Sequence, residues 1–397
     1  MASRKAFLAS NMRLGLVQGF YWMASCVFVS YLVRLLAYYG YSDYESGLVL
    51  AVSSLATMTM QPLLGRLADR SRSVKRLLVL CFVAAVLASA LLQAFIARRL
   101  ITCLLVFIIF AAFRSLINII DLWSLSIGRD DPCFSYGFTR SFGAVFYAFG
   151  ALFFGYAIDR WQARIIIPCF IALCLVTLGM IVSIKEPPSI QSTRPKSLTA
   201  GQGLRMILAS KAYMWLLASY LLTELTAVPL QNYLTRKFEV LGAGDIYTGL
   251  SLLVMGLFQL PALLSIDKLG KRFKARTLMA ASLSGIAIRC LIIGFSQSPL
   301  VVALSYVTEL VAYGLYIGSI LLYIRQILPA EVQYLGLTLY AAITSGLGGM
   351  LGNFLAGLLA QSYGVLGMMG RMTAFSCASV ILFVAAGRIE RNDGAGK

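Results

Sequence analysis

The chain has 397 residues, 59% of them hydrophobic and 13% charged, with a formal net charge of +18. A soluble globule of this length has too little interior to hide so much apolar surface, so a water-soluble fold is excluded. Histidine is absent, which removes imidazole as metal ligand, base or proton relay. The eight cysteines are scattered with no C-x-x-C, so neither a disulfide framework nor a zinc site is indicated.

Apolar runs of membrane-crossing length predict helices over 14–37, 46–65, 77–97, 101–126, 138–158, 164–184, 212–234, 246–266, 277–296, 300–324, 336–361 and 368–387. The start, "MASRKAFLASNMRLGL", has the cations of a signal peptide. The apolar run behind it is span-length and lacks a small-residue cleavage site, so a retained first helix is expected. The second span ends in "MQPLLGRLADRSRSVKR", Met60 to Arg76, where Arg66, Arg70, Arg72, Lys75 and Arg76 would hold a short loop out of the bilayer. After the sixth span comes "SIKEPPSIQSTRPKSLTAGQGLR", Ser183 to Arg205, a polar, proline-bearing linker. The second half then echoes the first: Gln259, Pro261, Asp267 and Lys268 repeat Gln61, Pro62, Asp69 and Arg70 at the end of its second span.

These elements predict an all-α membrane protein of twelve transmembrane helices in two pseudo-symmetric six-helix bundles. The bundles would occupy 1–184 and 212–397, with a cytoplasmic linker at 185–211, related as a parallel repeat. Twelve spans put both termini on one side, and most of the Lys and Arg fall in loops of that side, which reads as cytoplasmic. The basic excess is therefore topological. It implies the lipid bilayer of the cytoplasmic membrane as partner, and no nucleic acid.

Ionisable groups within spans cost about 2.5–3.5 kcal/mol each on insertion, so each needs a reason. In span four, Arg114, Asn118 and Asp121 fall at i, i+4 and i+7, on one helical face. Span five carries Arg140 and Tyr147, span seven Glu224, span nine Arg289 and span ten Glu309. These groups either face a water-filled cleft or lock helices together. Trp22 and Tyr21 either line the cleft or meet lipid. Gln259 would offer an uncharged hydrogen-bonding contact to a solute, and Arg34, near the outer surface, is expected to snorkel. Pro62, Pro229 and Pro261 are expected to bend their helices or to mark packing irregularities. Gly348, Gly352 and Gly357, with Gly143, Gly150 and Gly155, are expected to permit close helix packing. The paired aspartates or His with Glu of an intramembrane hydrolase are lacking, so an enzyme is not expected. No phosphate loop of the G-x-x-x-x-G-K type occurs either.

Gly65-Arg66-Leu67-Ala68-Asp69-Arg70 resembles the loop 2–3 motif of the major facilitator superfamily, although Ser73 replaces the usual downstream glycine. "ESGLVLAV", "YGFTRSFGAVFYAFGALFFG" and "ILPAEVQYLGLTLYAAITSGLGGMLGNFLAGLLAQSYG" are similar to segments of the lactose permease group and the phenylpropionate-permease-like branch. That resemblance implies conformational gating by Gly65, Asp69 and Arg70. It implies a solute-binding pair of Asp121 and Arg140, with Tyr147 where the permease stacks an aromatic on a sugar. Proton coupling would fall to Glu309 with Arg289, and Glu224 lies near the position of a structural acid. Ala312 and Gln259 depart from that pattern, each standing where these families often hold a carboxylate. The expected activity is secondary active transport by alternating access, as a monomer without cofactors. The cargo would be a small polar solute, a sugar or glycoside first, taken up with a proton. An exporter of drugs or metabolites, or uptake of a nucleoside or aromatic acid, is the alternative on the same fold.

Overall fold

Small polar residues start the helices that the apolar runs then extend. In this computed structural model, residues 4–71, 73–128, 131, 133–185 and 200–395 are described. The first half runs α1 (Arg4–Ser25), a π-helical turn Cys26–Ser30, α2 (Leu32–Tyr38), α3 (Asp43–Arg70), α4 (Val74–Phe95), α5 (Arg99–Ala112), a 3-10 turn Arg114–Leu116, α6 (Ile117–Gly128), α7 (Tyr136–Trp161) and α8 (Ile166–Ser183). The second runs α9 (Ala200–Ala209), α10 (Lys211–Asn232), α11 (Leu234–Val240), α12 (Ile246–Arg272), α13 (Ala275–Phe295), α14 (Pro299–Leu304), a 3-10 turn Ser305–Leu310, α15 (Tyr313–Ile327), α16 (Gln333–Ala341), a π-helical stretch Ala342–Gly348 and α17 (Gly349–Ala395). Among the described residues there is no strand. At the start of α3, Ser42 Oγ accepts from Glu45 N at 3.2 Å and Glu45 Oε2 accepts from Ser42 N at 2.8 Å, a reciprocal cap. Ser73, Ser135 and Ser210 cap α4, α7 and α10 in the simpler way.

Ten helical stretches among the described residues are long and apolar enough to cross a membrane. One of them, Leu335–Gly387, joins two predicted spans across a break at Gly364, whose φ of 69° favours a residue without Cβ. The predicted span 246–266 lies in α12, whose apolar part Ile246–Gln259 is shorter than that length among the described residues. Pro62, Pro229 and Pro261 all sit inside helices that continue past them.

The chain groups into two units. The first holds Met1–Thr193 and also Gly244–Leu253, the second Arg194–Ala243 and Val254–Lys397. In unit one α1 packs on α7 and α8, while α3 and α4 pack on α5. Its centre is aromatic: Phe28 stacks on Phe170 at 4.7 Å, Phe113 meets Phe170 edge-on at 5.0 Å, and Trp123 is fully buried. Large apolar side chains such as Leu80, Leu87, Leu104, Phe149 and Phe153 remain exposed on the outside, as a lipid-facing surface requires.

The start of α12 docks into unit one, a junction that a division at 184 and 212 does not anticipate. Asp159 at the end of α7 accepts from Asp245 N at 2.6 Å through Oδ1 and from Ile246 N at 2.9 Å through Oδ2, so one carboxylate caps the helix. Arg34 pairs with Asp245 at 2.7 Å; it is held by a partner rather than snorkelling alone. Glycine makes the approach possible. A Cβ on Gly249 would meet Ala151 O at 2.5 Å, and one on Gly155 would meet Asp245 O at 2.7 Å.

In unit two α10 and α13 pack on α17, and α13 on α15. Buried hydroxyls tie α10 to α17, with Thr223 Oγ1 and Ser379 Oγ 2.7 Å apart and Thr226 Oγ1 donating to Met372 O at 2.7 Å. The fourth predicted span of each half is broken, by the turn at Arg114–Leu116 in one and by Ser305–Leu310 in the other. Interrupted helices at membrane depth free backbone polar groups and recur where transporters bind solutes or ions.

Candidate functional site

Unit one gathers a polar cluster around an indole. Asp121 on α6 and Arg140 on α7 form an ion pair at 3.7 Å, with side chains 22% and 32% exposed, so the pair is open to a ligand. The Arg140 guanidinium lies 4.4 Å over the Trp22 ring, and Tyr147 meets the same ring edge-on at 6.0 Å. Gly143 leaves the room for this stack, since a Cβ there would sit 2.6 Å from Trp22 and 2.8 Å from Arg140 Nη1. Tyr147 is fixed in turn by Ser30, their hydroxyls 3.0 Å apart. A carboxylate that accepts hydroxyl protons, a guanidinium that donates to paired oxygens and an indole face for ring carbons together suit a ring-shaped polar solute.

The cluster has two further members, of which only Arg114 is marked by helical spacing. Gln18 on α1 is fully buried and donates from Nε2 to Asp121 Oδ1 at 2.7 Å. Arg114, which shares a helical face with Asp121 in the sequence, stands on the 3-10 turn with its guanidinium 5.8 Å from Trp22. A lone glutamine within an apolar span was the only sign of the first. Tyr21 belongs to the core, buried and donating to Phe113 O at 3.2 Å where α5 ends. Asn118 is exposed and forms no hydrogen bond among the described residues.

Unit two gathers the acids. Arg289 on α13 is ion-paired with Glu309 on the 3-10 turn, their side chains 3% and 1% exposed. Arg289 also lies 5.0 Å from the Tyr306 ring and 5.8 Å from that of Tyr313. Glu309 Oε2 accepts from Tyr313 N at 3.3 Å and so caps α15 after the break. The Tyr313 hydroxyl donates to Glu224 Oε1 at 2.9 Å. One tyrosine thus links the two carboxylates. Glu224 is buried, and among the described residues it forms no ion pair. Beside it Tyr220 stacks on Tyr316 at 4.6 Å, with Tyr340 5.5 Å from Tyr220. Tyr313 and Tyr316, whose rings meet edge-on at 5.5 Å, thus belong with the acids.

Gln259 is half-buried on α12 and forms no hydrogen bond among the described residues. Gly65 faces open space, with nothing within 4 Å of a Cβ. The side chains of Asp69 and Arg70 lie outside the described residues. One further buried cation was missed: Lys237 on α11 donates to Ile293 O at the end of α13, and burial pushes its ammonium down to about 8. No group of three or more His, Cys, Asp or Glu fit to hold a metal occurs among the described residues.

The chain is 25% identical over 352 residues to the maltose permease of Geobacillus stearothermophilus, covering 88% of each. It shares its fold with the nucleoside transporter NupG, at a TM-score of 0.82 and 13% identity over 95% of this chain and 98% of that one. A D-xylose-proton symporter superposes with a TM-score of 0.67 and 14% identity over 96% and 97%. Residues 12–383 match the MFS_1 like family. The chain belongs to that family, and is a multi-pass membrane transporter of small solutes rather than an enzyme.

Proposed function

We propose that this transporter takes up a ring-shaped polar solute, a sugar or glycoside first, by proton symport through alternating access. It would act as a monomer in the cytoplasmic membrane with both termini inside. The observation that carries the reading is the half-open Asp121–Arg140 pair laid against Trp22. Sugar hydroxyls come in adjacent pairs that suit a carboxylate and a guanidinium, and the axial hydrogens of a pyranose suit an indole face. The permease relative named for maltose and the symporter of like fold named for xylose support the same solute class.

Coupling falls to the acids of unit two. Arg289 pairs directly with Glu309, whereas Glu224 is held by a phenol and forms no ion pair among the described residues, so Glu224 is the acid that a proton would neutralise. Tyr313 joins both carboxylates and would report the state of one to the other. Gly65, Asp69 and Arg70 are the proposed gate at the end of α3, and Gln259 a further solute contact.

Proteoliposomes test this. An inward proton gradient should drive accumulation of a bound sugar, and Glu224→Gln should abolish accumulation while leaving sugar exchange at equal concentrations intact. Asp121→Asn and Arg140→Ala should lose both. Accumulation that survives all three substitutions would remove the site and its coupling.

A further inference from the structure

Arg114 stands half-buried in the membrane-spanning part of unit one, and among the described residues it forms no ion pair. Its Nη1 is buried with no hydrogen-bond partner among the described residues, and its guanidinium lies 5.8 Å from the Trp22 ring. The nearby carboxylate is already held, since Asp121 Oδ1 takes both Gln18 Nε2 and Arg140 Nε. Among the described acids of the unit, Glu45 pairs with Arg99, Asp245 with Arg34, Asp159 caps α12 and Asp131 accepts from Cys133 N. With Arg114 half-buried, its buried Nη1 gains most from an anion that reaches it. Gln18 holds Asp121 toward α1 and Arg140.

We propose that Arg114 is an anion subsite and that the cargo carries a carboxylate: a sugar acid before the neutral sugar. The proposal rests on the solute site assigned above and refines its cargo. The ring would lie on Trp22, its hydroxyls on Asp121 and Arg140, and its carboxylate on Arg114. Position supports this assignment. Arg114 sits on the turn that interrupts the fourth span, where the backbone departs from α-helix and the side chain is released from the regular face shared with Asn118. Arg140 meets the same indole at 4.4 Å and Arg114 at 5.8 Å, so two guanidiniums border one ring platform, and Asp121 pairs with the first. The cluster is one negative charge short.

The test uses purified full-length protein and matched pairs: glucuronate with glucose, galacturonate with galactose, and benzoate with benzyl alcohol. Binding is read by titration calorimetry near neutral pH. At least one acid should bind about tenfold or more tightly than its neutral partner, the worth of one charge-assisted pair. Arg114→Gln should bring that acid down to the affinity of its partner, and Arg114→Lys should keep part of the preference. Arg114→Gln removes an unpaired cation, so its helical circular dichroism should match the parent and certify the fold. No acid preference in any pair, or a preference that survives Arg114→Gln, overturns the subsite. Neutral sugars that bind without acid preference leave the solute site standing and remove Arg114 alone; loss of binding in Asp121→Asn then confirms that site separately.

Discussion

Glu309→Gln is the substitution whose cost follows most directly from the structure. Glutamine keeps the shape of the side chain and an oxygen to accept from Tyr313 N, so the cap on α15 survives. What disappears is the charge facing Arg289. With the two side chains 3% and 1% exposed, solvent screens this pair very little. Removing one partner of a buried pair leaves an uncompensated ion and costs about 3–5 kcal/mol. Replacing both by apolar residues of similar volume is often neutral or better. Arg289→Met with Glu309→Leu should therefore be more stable than either Glu309→Gln or Arg289→Met alone, and the two positions should couple by about 2 kcal/mol or more. Unfolding in mixed detergent micelles, followed by far-ultraviolet circular dichroism, measures all of these. Glu224→Gln is the control, since the Tyr313 hydroxyl can donate equally to an amide oxygen and the cost should stay within about 1 kcal/mol. A single substitution costing under about 1 kcal/mol, or a double variant that simply adds the two losses, would refute the account of this ion pair.

The α12 cap is testable by amide exchange: Asp159→Ala should cost about 1 kcal/mol locally and speed exchange at Asp245 and Ile246 about fivefold. Gly249→Ala should destabilise by about 1–3 kcal/mol, because its Cβ would press on backbone atoms of Ala151 and Leu152, whereas Gly179→Ala, with nothing within 4 Å, should not destabilise. Thermal unfolding separates the two. Lys237, with its folded value of about 8 against an ordinary 10.5, should make stability rise with pH between those values. Across that window the unfolded chain keeps a proton that the folded one has shed, and below it both are protonated. Denaturation across that range should lose this slope in Lys237→Met.

The sequence by itself determined the class of the protein: apolar runs of bilayer length can be satisfied only as helices, and their spacing and flanking cations read directly as a polytopic chain. It also marked Asp121, Arg140, Glu224, Arg289 and Glu309, because a charge within such a run is rare enough to stand out. The resemblance anticipated Asp121 with Arg140 and Arg289 with Glu309, and tertiary structure alone decided what surrounds those pairs. Arg289 meets Glu309 and Tyr313 joins Glu309 to Glu224 only after helices far apart in sequence have packed. The 3-10 turn at Arg114–Leu116 likewise interrupts a helical face that spacing treats as regular. Gln18, Asp159 and Asp245 carried too little signal to be singled out, since a glutamine or a loop acid is common and its partner lies far along the chain. Hydrophobic length is a local property that any window of residues can display, whereas the partner of a buried polar group is chosen by the meeting of distant segments.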